Sequence, residues 1–230
     1  MFFLYFLIFI LIGLFLNITR KYDLFTISIV YIVCSIFLYF IDIYAVIYVI
    51  MFFGIAEIIT MILNKKHGKR DYKNVLGNCG ASLVIFITGF ILNKLLYVNL
   101  EMFIIASLAT ISAAFSDTLS SEIGLLSIKN PRMINTFKKV KKGTNGAISL
   151  IGIIGALLGS LITAIFFIII EYNYLFIILI SISGIIGSLI DSFTGAIIEN
   201  KNQKINNNWN NFISTLITGI IIIIIYTIII

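Results

Sequence analysis

Two carboxylates and four hydroxyls fall within nine residues, Ser116-Asp117-Thr118-Leu119-Ser120-Ser121-Glu122-Ile123-Gly124, in a chain that is 60% hydrophobic. An unpaired acid at mid-helix in lipid costs on the order of 2.5–3.5 kcal/mol. Its partner must be a bound cation, a basic side chain or a water-filled cavity. Asp117 and Glu122 are five apart, so a single continuous helix splays them by about 140°. Sharing one ligand requires that helix to break or bend at Ser120-Ser121. A third acid, Asp191, lies at a similar depth in a later apolar run, followed by Ser192 and Thr194. Magnesium takes one or two carboxylates and keeps several waters. The expected chemistry is a metal–phosphate site with Asp117, Glu122 and Asp191 as its catalytic and metal-holding acids.

The phosphate half of such a site has a candidate in Lys138-Lys139-Val140-Lys141-Lys142-Gly143-Thr144-Asn145-Gly146. Two glycines, a hydroxyl and four lysines stand just before an apolar run. Free N–H groups and the positive end of a helix dipole would face an anion there. Alone, Gly-Thr-Asn-Gly reads equally well as a turn with an Asn cap; the lysines favour phosphate. The segment closes the longest loop, Leu125 to Asn145, which holds the only proline, Pro131. Upstream, Lys69 and Arg70 precede Asn74, Asn78 and Ser82, whose i+4 spacing puts one polar face at the start of a helix. Downstream, asparagines crowd positions 206–211, among them Asn207 and Asn211. Glu57, inside an apolar run, is a further candidate because intramembrane acids are functional by default. His67, the only histidine, sits in a basic loop and reads as solvated.

The elements that must position these residues are membrane spans. Charged residues make up 11% of the chain against about 25% in soluble domains. The mean hydropathy is +1.13. Apolar runs predict helices at 2–16, 24–40, 42–63, 78–98, 100–119, 147–170, 174–198 and 212–230, most near the ~20 residues that cross the hydrocarbon core. With the N-terminus outside, the loops at 17–23, 64–77, 120–146 and 199–211 face the cytoplasm. Of the 16 Lys and Arg residues only Lys94 then falls outside. The positive-inside rule therefore predicts eight spans with both termini out and the polar mouths cytoplasmic. The first apolar run lacks a basic start and a small-residue cleavage site, so an anchor is expected rather than a signal peptide. Cys34 and Cys79 are far apart and no CxxC or His/Cys spacing exists, which argues against zinc or a disulfide framework. The net charge of +6 fits orientation and attraction to anionic headgroups. Glycine and serine stripes (Ser149, Gly152, Gly155, Gly159; Gly184, Gly187, Ser188, Gly195) predict close packing of spans six and seven.

Taken in order, Lys69-Arg70-Asp71 with Asn74 and Asn78, Asp117-Thr-Leu-Ser-Ser-Glu122-Ile-Gly124, Asn135-Thr136-Phe137-Lys138, Gly143-Thr-Asn-Gly-Ala-Ile-Ser149 and Asp191-Ser192 with Gly195 form one series. In this series the chain resembles the integral-membrane family of plant and cyanobacterial phytyl-phosphate kinases, over roughly residues 54–219. Where that family usually carries Asn-Asp before the last apolar run, this chain reads Asn207-Asn208. The resemblance implies Mg²⁺-dependent transfer of a phosphoryl group from a nucleoside triphosphate, CTP by preference, to a prenyl monophosphate. It implies a nucleotide- and phosphate-binding set of Lys69, Arg70, Asn74, Asn78, Thr136, Lys138, Lys142, Gly143, Thr144, Asn145, Gly146, Ser149, Ser192, Asn207 and Asn211. The whole chain, 1–230, would then be a single polytopic domain of a cell membrane. Its site would face the cytoplasm, with lipid, prenyl phosphate and nucleotide as partners and no nucleic-acid polymer. Phosphoryl transfer needs positioning and charge neutralisation more than a base. A phosphate acceptor with a second pKa of about 6 is already ionised. Two other readings use the same residues: a transporter or flippase for an anionic lipid or ion, and a lipid-phosphate nucleotidyltransferase.

Overall fold

The protein is an all-α integral membrane protein, seen here in a computed structural model that describes residues 24–63, 71–199 and 206–230 together with Gly13. Six helices among the described residues are long and apolar enough to cross a membrane, and a seventh, shorter one is apolar. They are α1 (Leu24–Phe40), α2 (Ile43–Ile62), α3 (Tyr72–Leu96), α4 (Leu100–Gly124), α5 (Leu150–Ile169), α6 (Tyr174–Thr194) and α7 (Asn207–Ile229). The span expected at 2–16 lies outside the described residues. The chain divides into two compact units, Met1–Leu76 and Gly77–Ile230.

In the first unit α1 packs on α2. Asp42 opens α2 directly after α1 ends: its side chain accepts the Ala45 N–H at 2.7 Å, satisfying a donor that the helix start leaves bare. The Phe25 and Tyr72 rings meet edge-on at 5.0 Å, tying α1 to the first turn of α3. Glu57 is half-buried on α2.

In the second unit α4 is the hub, with α5, α6 and α7 all packed on it. Small residues make that possible. A Cβ at Gly155 would lie 2.6 Å from the Leu119 carbonyl oxygen, and one at Gly159 would lie 2.7 Å from Ser116 Cα. A side chain at Gly187 would overlap Ala113. The stripes on α5 and α6 do bring those helices together, but the glycines themselves open onto α4. Against α3 the contact is polar. Ser82 Oγ donates to the Ser107 carbonyl at 3.0 Å, Ser107 Oγ donates to the Ser82 carbonyl at 2.9 Å, and the two hydroxyls lie 2.6 Å apart.

Two connections use one device. Tyr97 (φ 55°) and Glu171 (φ 56°) turn the chain, and two residues later Asn99 and Asn173 cap the next helix. The long loop is built differently. Arg132–Met133 (β1) pairs antiparallel with Ala147–Ile148 (β2), Arg132 opposite Ile148 and Met133 opposite Ala147. This small hairpin consumes the residues expected to begin span six, so α5 starts at Leu150.

Candidate functional site

The i+4 geometry of α4 carries the first acid to α6. Ala113 meets Gly187, and four residues on Asp117 meets Ser188, whose hydroxyl donates to Asp117 Oδ1 at 3.4 Å. Asp191 follows Ser188 by three on the same face of α6, which makes its carboxylate a near neighbour of Asp117. A third helix grips Asp191. Asn210 Nδ2 donates to Asp191 Oδ1 at 3.0 Å and to the Asp191 carbonyl at 3.1 Å, while Ser214 Oγ donates to the same Oδ1 at 2.9 Å. Asn210 and Ser214 stand one turn apart on α7, so both reach one carboxylate. The next residue, Asn211, turns the other way and donates from Nδ2 to Asn78 Oδ1 on α3 at 3.0 Å. Four helices therefore contribute to one polar cluster at the end of the bundle where α4 and α6 stop and α3 and α7 begin.

The lysine-bearing turn meets that cluster. Gly146 has φ 76°, a left-handed conformation that favours glycine, and a Cβ there would lie 2.5 Å from Ala196 Cβ and from the Ala196 nitrogen. The Cβ position at Gly195 lies 3.2 Å from the Gly146 nitrogen and 3.4 Å from Asn210 Nδ2. Gly146 and Asn210, which grips Asp191, thus both lie against Gly195. The contact falls on a π-helical turn, Gly195–Glu199, which continues α6; such widened turns recur at functional sites.

Several expectations are corrected. Helix α4 runs unbroken through Ser120-Ser121 to Gly124, so Glu122 and Asp117 stay splayed. Among the described residues no three or more His, Cys, Asp or Glu side chains gather into a metal-binding group. Asp117, Glu122 and Asp191 therefore do not form one three-acid site. Glu122 is instead buried on a different face of α4. Gly143–Gly146 is not a helix N-terminus, because β2 intervenes. Ser149 caps α5, accepting the Gly152 N–H at 3.0 Å.

The other candidates divide by position. Thr136, Lys138, Lys142, Gly143 and Asn145 are exposed on the hairpin and its turn, where the Thr144 hydroxyl donates to the Lys141 carbonyl at 2.7 Å. Ser192 is half-buried beside Asp191, and Asn207 is exposed in the first turn of α7. Asn74 belongs to the first unit, where its N–H is accepted by Asp71 Oδ1 at 3.1 Å. Lys69 and Arg70 lie outside the described residues. Sequence reasoning left Ser188, Asn210 and Ser214 out of the site. Their signal was present: Ser188 precedes Asp191 by three, and Ser214 follows Asn210 by four.

Facing carboxylates with hydroxyl and amide neighbours form an all-oxygen donor set, which suits a hard divalent cation such as Mg²⁺. A glycine turn with lysines beside it suits phosphate oxygens.

A family model described as "Integral membrane protein DUF92" matches residues 7–219, so the family likeness begins well before residue 54. "Uncharacterized membrane protein MJ0933" of Methanocaldococcus jannaschii is 35% identical over 198 residues, which is 83% of this chain and 80% of that protein. "Protein PGR" of Arabidopsis thaliana is 34% identical over 155 residues, 59% of this chain and 54% of that one. "Protein VTE6, chloroplastic", also of Arabidopsis thaliana, is 32% identical over 112 residues, 48% of this chain and 31% of that one. The matches thus span about half of the first plant protein and a third of the second. No solved structure matches the chain.

Proposed function

The chain belongs to the integral membrane protein DUF92 family, and from that membership we propose that it is a membrane-embedded prenyl-phosphate kinase. It would transfer the terminal phosphoryl group of a nucleoside triphosphate, CTP by preference, to an isoprenoid monophosphate at the cytoplasmic face. The motif resemblance to phytyl-phosphate kinases supports the reaction and the acceptor class. The observation that carries the reading is the Asp117–Asp191 pair, held by Ser188, Asn210 and Ser214, with Gly146 of the lysine-bearing turn packed on Gly195 and Ala196, just after Asp191 in the chain.

In this reading Asp117 and Asp191 hold Mg²⁺, which would neutralise charge on the phosphates. Ser188 orients Asp117, and Asn210 and Ser214 orient Asp191. Gly143 and Gly146 offer their backbone N–H groups to phosphate oxygens, and Lys138 and Lys142 supply positive charge from the exposed side of the turn. The acceptor phosphate needs no base to ionise it. Its prenyl tail stays in lipid between helices, so the reacting ends meet where spans and loop join.

Purified protein in proteoliposomes, given a prenyl monophosphate, CTP and Mg²⁺, should yield the prenyl diphosphate and CDP. Asp117→Asn should abolish turnover while leaving the melting curve intact; wild-type rates in that variant refute the assignment. Release of pyrophosphate would instead identify a nucleotidyltransferase, and flux without nucleotide would identify a transporter.

A further inference from the structure

The geometry points to Asn210 Oδ1 as the third protein oxygen of the cation site, in the role expected of Glu122. The assignment rests on the reading of Asp117 and Asp191 as a metal-holding pair. Asn210 is 2% exposed. Its Nδ2 is committed twice to Asp191, at 3.0 Å to Oδ1 and 3.1 Å to the carbonyl. Both of those partners are acceptors, so the amide cannot be turned over without placing oxygen against oxygen. An amide is planar, and fixing one end fixes the other. Oδ1 is therefore fixed in place by the grip of Nδ2 on Asp191, and among the described residues it has no hydrogen-bond partner.

A buried acceptor left bare costs about 1–3 kcal/mol. Only a cation or a hydrogen-bond donor relieves it. With the Asp191 carboxylate held by the same amide, and Asp117 reached through Ser188, the cation is the better occupant. A neutral amide oxygen is an ordinary ligand for hard divalent ions. Two carboxylates and an amide leave a divalent ion with no net charge, and its remaining positions go to water and phosphate oxygens. Glu122 cannot take this place on an unbroken α4.

The test is Mn²⁺ binding to the full-length protein in nanodiscs without nucleotide, followed by electron paramagnetic resonance, for wild type, Asn210→Ala, Asn210→Asp and Ser214→Ala. Asn210→Ala should weaken binding about tenfold or more, the scale on which lost partners at metal sites act. Asn210→Asp should bind at least as tightly as wild type, because it keeps an oxygen and adds charge. Ser214→Ala removes only a donor to Asp191 and should lose less than Asn210→Ala. If Asn210 merely positions Asp191, Asn210→Asp, which offers no amide donor, must be as weak as Asn210→Ala. That result overturns the assignment, as does an Asn210→Ala protein that binds like wild type or a Ser214→Ala loss as large as that of Asn210→Ala. In each of these cases the paired-aspartate reading stands. A wild-type protein that binds no Mn²⁺ overturns both.

Discussion

Gly146→Ala, compared with Gly143→Ala, measures how firmly the lysine-bearing turn is seated on the site. Both glycines have left-handed backbones, φ 76° and 80°, so an added Cβ strains each by about 1–2 kcal/mol. Only Gly146 adds a collision. Its Cβ would stand 2.5 Å from both Ala196 Cβ and the Ala196 nitrogen and 2.6 Å from Ala196 Cα, whereas at Gly143 nothing lies within 4 Å. Two of those three obstacles are backbone in the π-helical turn, which cannot swing aside as a flexible side chain would. Overpacking of this kind costs about 1–3 kcal/mol. The difference between the variants isolates that second cost, because the strain is common to both. If the turn must dock on Gly195 and Ala196 to present its N–H groups, Gly146→Ala should bind triphosphate about 5- to 150-fold more weakly than Gly143→Ala. Equilibrium binding of labelled CTP with Mg²⁺ to purified protein reads this directly, with melting curves to confirm that both variants fold. Equal affinities in two folded variants would refute the idea that this contact positions the turn.

Other outcomes follow from the packing. Gly187→Ala should destabilise the bundle by about 1–3 kcal/mol through its clash with Ala113, and adding Ala113→Gly should recover part of the loss in a thermal melt. Ser82→Ala and Ser107→Ala should each cost about 0.6–1.7 kcal/mol, and the double variant less than their sum, because the two hydroxyls bond reciprocally; strict additivity would show no coupling. Tyr226→Phe removes a donor to Glu101 Oε2 at 2.8 Å and an acceptor for Asn99 at 3.3 Å. It should lower stability by about 1 kcal/mol with turnover unchanged, since Glu101 lies about 24 Å along α4 from Asp117; a lowered turnover would mean that the far end of the bundle reaches the site.

The sequence read the lipid-facing parts of the helices well and the polar ends poorly. The runs at 24–40 and 42–63 match Leu24–Phe40 and Ile43–Ile62 closely. The run at 100–119 stops five residues short of Gly124, and that at 78–98 begins six after Tyr72. The last helix starts at Asn207 and not at 212. In every case the missing turns are polar, and Asn78, Glu122, Asn210 and Asn211 lie in or beside them. Hydropathy registers contact with lipid, whereas these turns are satisfied by neighbouring helices. The same blindness hid Asn210, one asparagine among those crowding positions 206–211 until Asp191 gave it a partner. Asp117 and Asp191 were legible because an acid in an apolar run is costly wherever it points. The pairing of Glu122 with Asp117 was not decidable from spacing, since it depended on whether Ser120-Ser121 interrupts the helix.

The hub position of α4 has a consequence for how the protein is made. It is the least apolar of the six long helices and the most enclosed by its neighbours. The helices that enclose its Ser112, Ser116 and Asp117 face, α5 and α6, are synthesised after it. During translation α4 must therefore leave the ribosome before the groups that shelter its hydroxyls and acid exist. Chains arrested with helices only as far as α4 outside the ribosome should be held at the insertion machinery or slip back to water, and chains with α5 and α6 also outside should partition stably into the bilayer.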